Sequence, residues 1–205
     1  MSMWNPRGIE RKVFTSFFQD GSLEAYTGIF LLQLGLPVLF SRSGYGDLQS
    51  ALITLPIALV LLAVAFLVRR FVVVPRLGRV KFLPERRRKL SRLILVPTAA
   101  LLAAAIVGYV FAENPSMGHG LIGLLPFSLP PILVFGAAAY FLDMRRLYVY
   151  GTIVGFVVPL GKYLETVIVS RDTLPATVLF TACVFFGVAT VLFIAFLREY
   201  RMARM

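Results

Sequence analysis

The sequence predicts an all-α fold: a polytopic integral membrane helical bundle of six transmembrane helices, both termini in the cytoplasm, with an amphipathic N-terminal interfacial helix. Three observations predict it. The 205 residues are 59 % hydrophobic and 15 % charged, against about 45–50 % apolar residues in a water-soluble domain. Six long apolar stretches divide the chain. Of the 21 lysines and arginines, 18 fall in alternate gaps between those stretches.

In residues 1–20, Ile9, Val13, Phe14, Phe17 and Phe18 recur at helical spacing, and Glu10, Arg11, Lys12, Ser16 and Gln19 take the other side. This is the pattern of a helix lying on the membrane surface or covering the cytoplasmic mouth of the bundle. The expected spans are Leu23 to Phe40, Ala51 to Val68, Leu93 to Ala112, Leu121 to Asp143, Leu147 to Val169 and Leu174 to Leu197. At about 1.5 Å per residue each reaches roughly 27 Å or more, close to the ~30 Å hydrocarbon thickness. The runs lack the polar alternation of barrel strands, so helices are the spanning solution. Proline is frequent in or near them, and the fourth span, with Pro126, Pro130 and Pro131, is expected to bend most.

The gaps set the orientation. Arg7, Arg11 and Lys12 precede the first span, ten basic residues lie between Arg69 and Arg92, Arg145 and Arg146 follow the fourth span, and Arg198, Arg201 and Arg204 close the chain. The opposite side holds only Arg42 and Arg171. By the positive-inside rule both termini are cytoplasmic, and 69–92 is a basic cytoplasmic loop. With little chain left over, residues 1–205 read as one transmembrane domain. Most of the net charge of +11 is thereby assigned to orientation and anionic phospholipid headgroups, without nucleic acid. The lone Cys183 cannot form an intramolecular disulfide.

The basic loop has its own grammar. Pro75 and Gly78 are expected to bracket a turn, and Pro84 with Glu85 suits the first turn of the next helix. Arg76, Arg79, Lys81, Arg86, Arg87, Arg88, Lys89 and Arg92 are therefore candidates for contact with anionic lipid or a protein partner.

Two short motifs carry a resemblance. Asp20-Gly21-Ser22-Leu23-Glu24 enters the first span, and Pro75-Arg76-Leu77-Gly78-Arg79-Val80-Lys81-Phe82 follows the second. Over about the first 90 residues the chain resembles an uncharacterised group of prokaryotic multi-span membrane proteins with Asp-Gly-x-x-Glu and Tyr-Pro-Arg-x-Gly-Tyr-Val-Lys-Phe segments. Val74 and Arg79 stand where that group has its two tyrosines. The resemblance implies a multi-pass protein of a prokaryotic cytoplasmic (inner) membrane and no particular activity.

Within the spans, the polar candidates are Lys162, Glu165, Gln33 and Glu24. Lys162 and Glu165 are three residues apart and can pair on a helix. Gly151 and Gly155 share their face, which is expected to turn into the bundle where helices approach closely. Snorkelling of Lys162 toward the outer boundary is the competing reading.

Catalytic patterns fail. Gly44-Tyr45-Gly46-Asp47 matches the short string of intramembrane aspartyl proteases, but no second aspartate is placed deep in another span. Asp20-Gly21 resembles the start of a lipid-headgroup transferase motif whose later metal-binding aspartates are absent, and His119 is the only histidine. No cofactor is expected. The expected function is a noncatalytic membrane component acting as a partner, assembly or regulatory protein, alone or as a homo-oligomer. A small-solute transporter or channel using Lys162 and Glu165 is the alternative.

Overall fold

The computed structural model describes residues 20–77, 125–142, 144–168 and 172–200, with side chains in the fourth helix from Ser128 onward. The N-terminal amphipathic helix, the third span, His119 and the basic residues from Arg79 to Arg92 lie outside the described residues. The described residues form α1 (Ser22–Arg42), α2 (Asp47–Val68), a π turn (Arg69–Val73), α3 (Val74–Leu77), α4 (Leu125–Leu142), α5 (Arg146–Ile168) and α6 (Thr173–Glu199), with no strand among them.

Four of these helices are long and apolar enough to cross a membrane: Ser22–Arg42, Asp47–Arg76, Arg146–Ile168 and Thr173–Glu199. Their length and composition are those of a membrane protein. α4 has 18 residues, and its Ser128–Leu142 part is apolar but shorter. The chain divides into two compact units, Met1–Lys81 with Val178–Met205, and Phe82–Thr177.

In the first unit, α1 starts at Gly21, whose φ of +79° is a left-handed conformation that glycine adopts without strain. Asp20 Oδ1 accepts from the Ser22 backbone N–H at 3.1 Å and from Ser22 Oγ at 2.7 Å, which satisfies a donor of the first helical turn. The helix stops where Ser43 N–H donates to the Leu39 carbonyl and Tyr45 N–H to that of Phe40. Gly44 takes φ +100° there, and the Tyr45 ring meets Phe40 edge-on at 5.8 Å. Ser41 Oγ donates to Asp47 Oδ1 at 2.6 Å, closing the turn into α2.

The buried face of α1 includes Glu24, Thr27, Gly28, Leu31 and Gly35, at helical spacing. It packs on α6. A Cβ at Gly28 would stand 3.2 Å from the Phe186 ring, and one at Gly35 would stand 3.0 Å from Leu179. Gly21 lies against the Ala189 backbone, so residue numbers fall along α6 as they rise along α1. The two helices are antiparallel.

The helix expected to end at Val68 runs on. The ladder widens to the i−5 pattern over Arg69–Val73, where the Val74 N–H donates to the Arg69 carbonyl, and continues through α3 to Leu77. Pro75, expected in a turn, is therefore helical. The apolar run Phe71 to Val74 offers no break, and proline, lacking an N–H, is tolerated in the first turn of a helical segment. The 30-residue stretch Asp47–Arg76 is about 45 Å long. Most of its large apolar side chains are exposed, among them Leu52, Leu59, Val60 and Phe66, a surface suited to lipid.

In the second unit, α4 and α5 form a hairpin closed by Met144 N–H on the Ala139 carbonyl and Leu147 N–H on that of Met144. Glycines allow their close approach. A Cβ at Gly151 would lie 2.7 Å from Phe135 Cβ, and one at Gly155 would lie 2.5 Å from Ile132 Cγ1 and 3.0 Å from the Ser128 carbonyl oxygen. Gly161 does the same for the first turn of α6, where Leu174 Cα would be 3.1 Å away.

Candidate functional site

The first unit holds a buried polar cluster at the head of α1. The side chains of Asp20 and Glu24 are enclosed, at 2 % and 0 % residue exposure. Carboxylates are almost never so buried without compensation. Asp20 receives it from three sides: the two Ser22 bonds on Oδ1, and Arg69 Nε at 3.9 Å from Oδ2. That separation is an ion pair but exceeds hydrogen-bonding reach, and Oδ2 has no hydrogen-bond partner among the described residues. Arg69, the first residue of the π turn, keeps its side chain 21 % exposed.

Beside this pair opens a cavity of about 310 Å³. Asp20, Ser22, Arg69 and Thr190 are its polar residues. Ile29 of α1, Leu61 and Ala65 of α2, and Phe186, Ala189 and Phe193 of α6 form its apolar walls. From Asp20 to Ile29 the lining follows α1 for roughly 13 Å.

Of the four polar residues singled out within the spans, Glu24 and Gln33 belong to the first unit and Lys162 and Glu165 to the second. Gln33 reaches α2, its Nε2 donating to Thr54 Oγ1 at 3.5 Å, while Thr54 Oγ1 donates to the Ser50 carbonyl at 3.0 Å. Lys162 Nζ and Glu165 Oε2 are 3.0 Å apart. The pair does not turn inward as a whole. The Lys162 side chain is 55 % exposed and that of Glu165 11 %, because the long stem of Lys162 carries its ammonium outward while the shorter acid stays with the packed face. The buried face of α5 is instead completed by Val154, Val157 and Gly161 beside Gly151 and Gly155.

Of the basic residues considered for lipid or partner contact, Arg76 alone is described. Its Nε is enclosed and has no hydrogen-bond partner among the described residues. No three histidine, cysteine, aspartate or glutamate residues converge as metal ligands among the described residues. Asp47, in the protease-like string, caps the α1–α2 turn through Ser41.

In the sequence Asp20 belongs to a short motif and Arg69 to the basic loop that signals topology, and nothing in the sequence joins them. Asp-Gly-Ser before an apolar run is legible as a helix-start signal. The meeting with Arg69 is a contact between residues far apart in sequence, which no local pattern announces. Compared with known proteins, the chain matches no family model, no curated protein and no solved structure.

Proposed function

We propose that this chain is a noncatalytic integral membrane component, a partner, assembly or regulatory protein of a prokaryotic cytoplasmic membrane. It crosses the bilayer six times with both termini on the cytoplasmic side, where the basic residues hold anionic headgroups. The observation that carries the functional reading is the use made of polar groups within the helices. Gln33 is occupied with Thr54, and Lys162 pairs with Glu165 while reaching outward. A solute pathway would instead gather such groups around water. An even number of crossings is supported by the antiparallel run of α1 and α6, and the cytoplasmic assignment by the distribution of arginine and lysine.

The alternative is a small-solute transporter or channel built around Lys162 and Glu165, favoured by the enclosure of Glu165 and by Pro159 inside the same helix. Reconstitution into liposomes loaded with small ions and neutral solutes separates the two. The noncatalytic reading expects no protein-dependent flux from the wild type or from the Lys162→Met, Glu165→Leu double variant. Flux in the wild type that the double variant loses would establish the transporter.

A further inference from the structure

We propose that the segment preceding α1 docks on this chain itself: the apolar side of residues 9–18 seats in the cavity between α1, α2 and α6, with Phe14, Phe17 and Phe18 as anchors, and closes that end of the first unit. The inference holds whether the chain serves as a partner protein or as a transporter.

Three observations carry it, all from elements of the first unit. The first is a difference in helix length. The Gly21 backbone meets that of Ala189, and α6 continues from there to Glu199, roughly 15 Å past the head of α1. On the other flank Arg69 stands opposite Asp20, and the helix prolonged through the π turn reaches Leu77, roughly 12 Å further. Both neighbours therefore overtop α1 by about one helix diameter, roughly 10–12 Å. A helix crossing over the head of α1 has a wall on each side.

The second is burial at a level α1 does not reach. Val73, four residues past Arg69, is 2 % exposed, and Phe196, seven residues past Ala189, is 3 % exposed. Tyr200 stacks on Phe196 with ring centroids 4.8 Å apart, which covers one face of that ring. The cavity of about 310 Å³ extends toward the same level, where Val73 and Phe193 line it. Walls this apolar do not hold water, and apolar side chains suit them.

The third is where the preceding chain enters. Asp20 is among the lining residues, and Phe17 and Phe18 stand three and two residues before it. At no more than about 3.6 Å per residue, both are tethered within roughly 11 Å of Asp20. Phe14, Phe17 and Phe18 fall at i, i+3 and i+4, the spacing by which a helix presents anchors to an apolar groove. Arg11 and Lys12 take the other side and remain solvated. A lipid tail is the competing occupant, but the tether is only a few residues long and keeps the phenylalanines at high effective concentration.

The test is tryptophan fluorescence of the full-length protein in liposomes whose phospholipid is brominated near the headgroup end of its chains. Trp4 is the only tryptophan, so Trp4→Phe combined with Phe17→Trp gives a single reporter on the segment. Trp4→Phe combined with Phe71→Trp gives a lipid-accessible reference, since Phe71 is 68 % exposed at the same end of the unit. The Phe17→Trp reporter is expected to lose most of the quenching that the reference shows, and to be shielded from aqueous acrylamide as well. Adding Ala65→Phe, which fills the cavity, should restore quenching to the level of the reference. Quenching by brominated lipid equal to that of the reference would place the segment on the membrane surface and overturn the proposal, as would ready quenching by acrylamide. Shielding that Ala65→Phe leaves unchanged would overturn the cavity as its seat. If Ala65→Phe fails to fold, disulfide formation decides in a Cys183→Ser background. Phe17→Cys is expected to link with Val73→Cys and not with Phe71→Cys, and any other pattern overturns the docking.

Discussion

Asp20 and Arg69 join the head of α1 to the π turn that prolongs α2, with Arg69 Nε 3.9 Å from Asp20 Oδ2. The pair is asymmetric: the carboxylate is fully enclosed and the guanidinium partly exposed. Asp20 also caps α1 through Ser22. Asp20→Ala should therefore lower the stability of the detergent-solubilised protein by about 2 kcal/mol, the weight of hydrogen bonds to a charged group. Ser22→Ala, which leaves the backbone bond to Asp20 in place, should cost about 1 kcal/mol or less. Thermal melts followed by circular dichroism compare the two.

Gly21 and Gly44 both have positive φ, and their surroundings differ. A Cβ at Gly21 would collide with the Ala189 carbonyl, whereas one at Gly44 would meet nothing within 4 Å. Gly44→Ala should cost only the backbone strain, about 1–2 kcal/mol. Gly21→Ala adds displacement of α6 to that cost and should show the larger drop in melting temperature and in yield of folded protein.

The α4–α5 hairpin depends on glycine at the contact. Gly155→Ala places a methyl against Ile132 and the Ser128 carbonyl and should destabilise by about 1–3 kcal/mol, as overpacked cores do. Adding Ile132→Ala should recover part of that loss, since Ile132 supplies the two shortest contacts. Gly136→Ala, with nothing within 4 Å, should be neutral or stabilising by up to about 1 kcal/mol.

Gln33→Leu should cost little, about 0.6 kcal/mol, the average for a polar contact between membrane helices. Thr54 keeps its bond to the Ser50 carbonyl, so the substitution strands no donor on α2. A melting curve that falls by several times this amount would assign Gln33 a larger packing role.

The parts of this fold legible in the sequence are those governed by local rules. Apolar length fixed the helices, so the boundaries Leu147 to Val169 and Leu174 to Leu197 differ by only one or two residues from Arg146–Ile168 and Thr173–Glu199. The four-residue spacing of Gly151 and Gly155 marked a close helix contact, but not that α4 would fill it. The arginine pair after Val68 reads as a helix end, yet arginine can remain helical while its head reaches the interface, and the apolar run to Val74 carries the helix onward. The candidate site was the least legible part. Asp20 and Arg69 are far apart in sequence, and only the packing of α1 beside α2 brings them to one cavity.

A chain that crosses the bilayer an even number of times, with the Asp20 end of α1 and the C-terminal end of α6 in the cytoplasm, would expose the α1–α2 turn outside. In a Cys183→Ser background, single substitutions Gly44→Cys and Arg201→Cys report the two sides through a membrane-impermeant maleimide. Intact cells are expected to label the Gly44→Cys protein, and Arg201→Cys is expected to label only after permeabilisation. Labelling of Arg201→Cys from outside intact cells would overturn this topology.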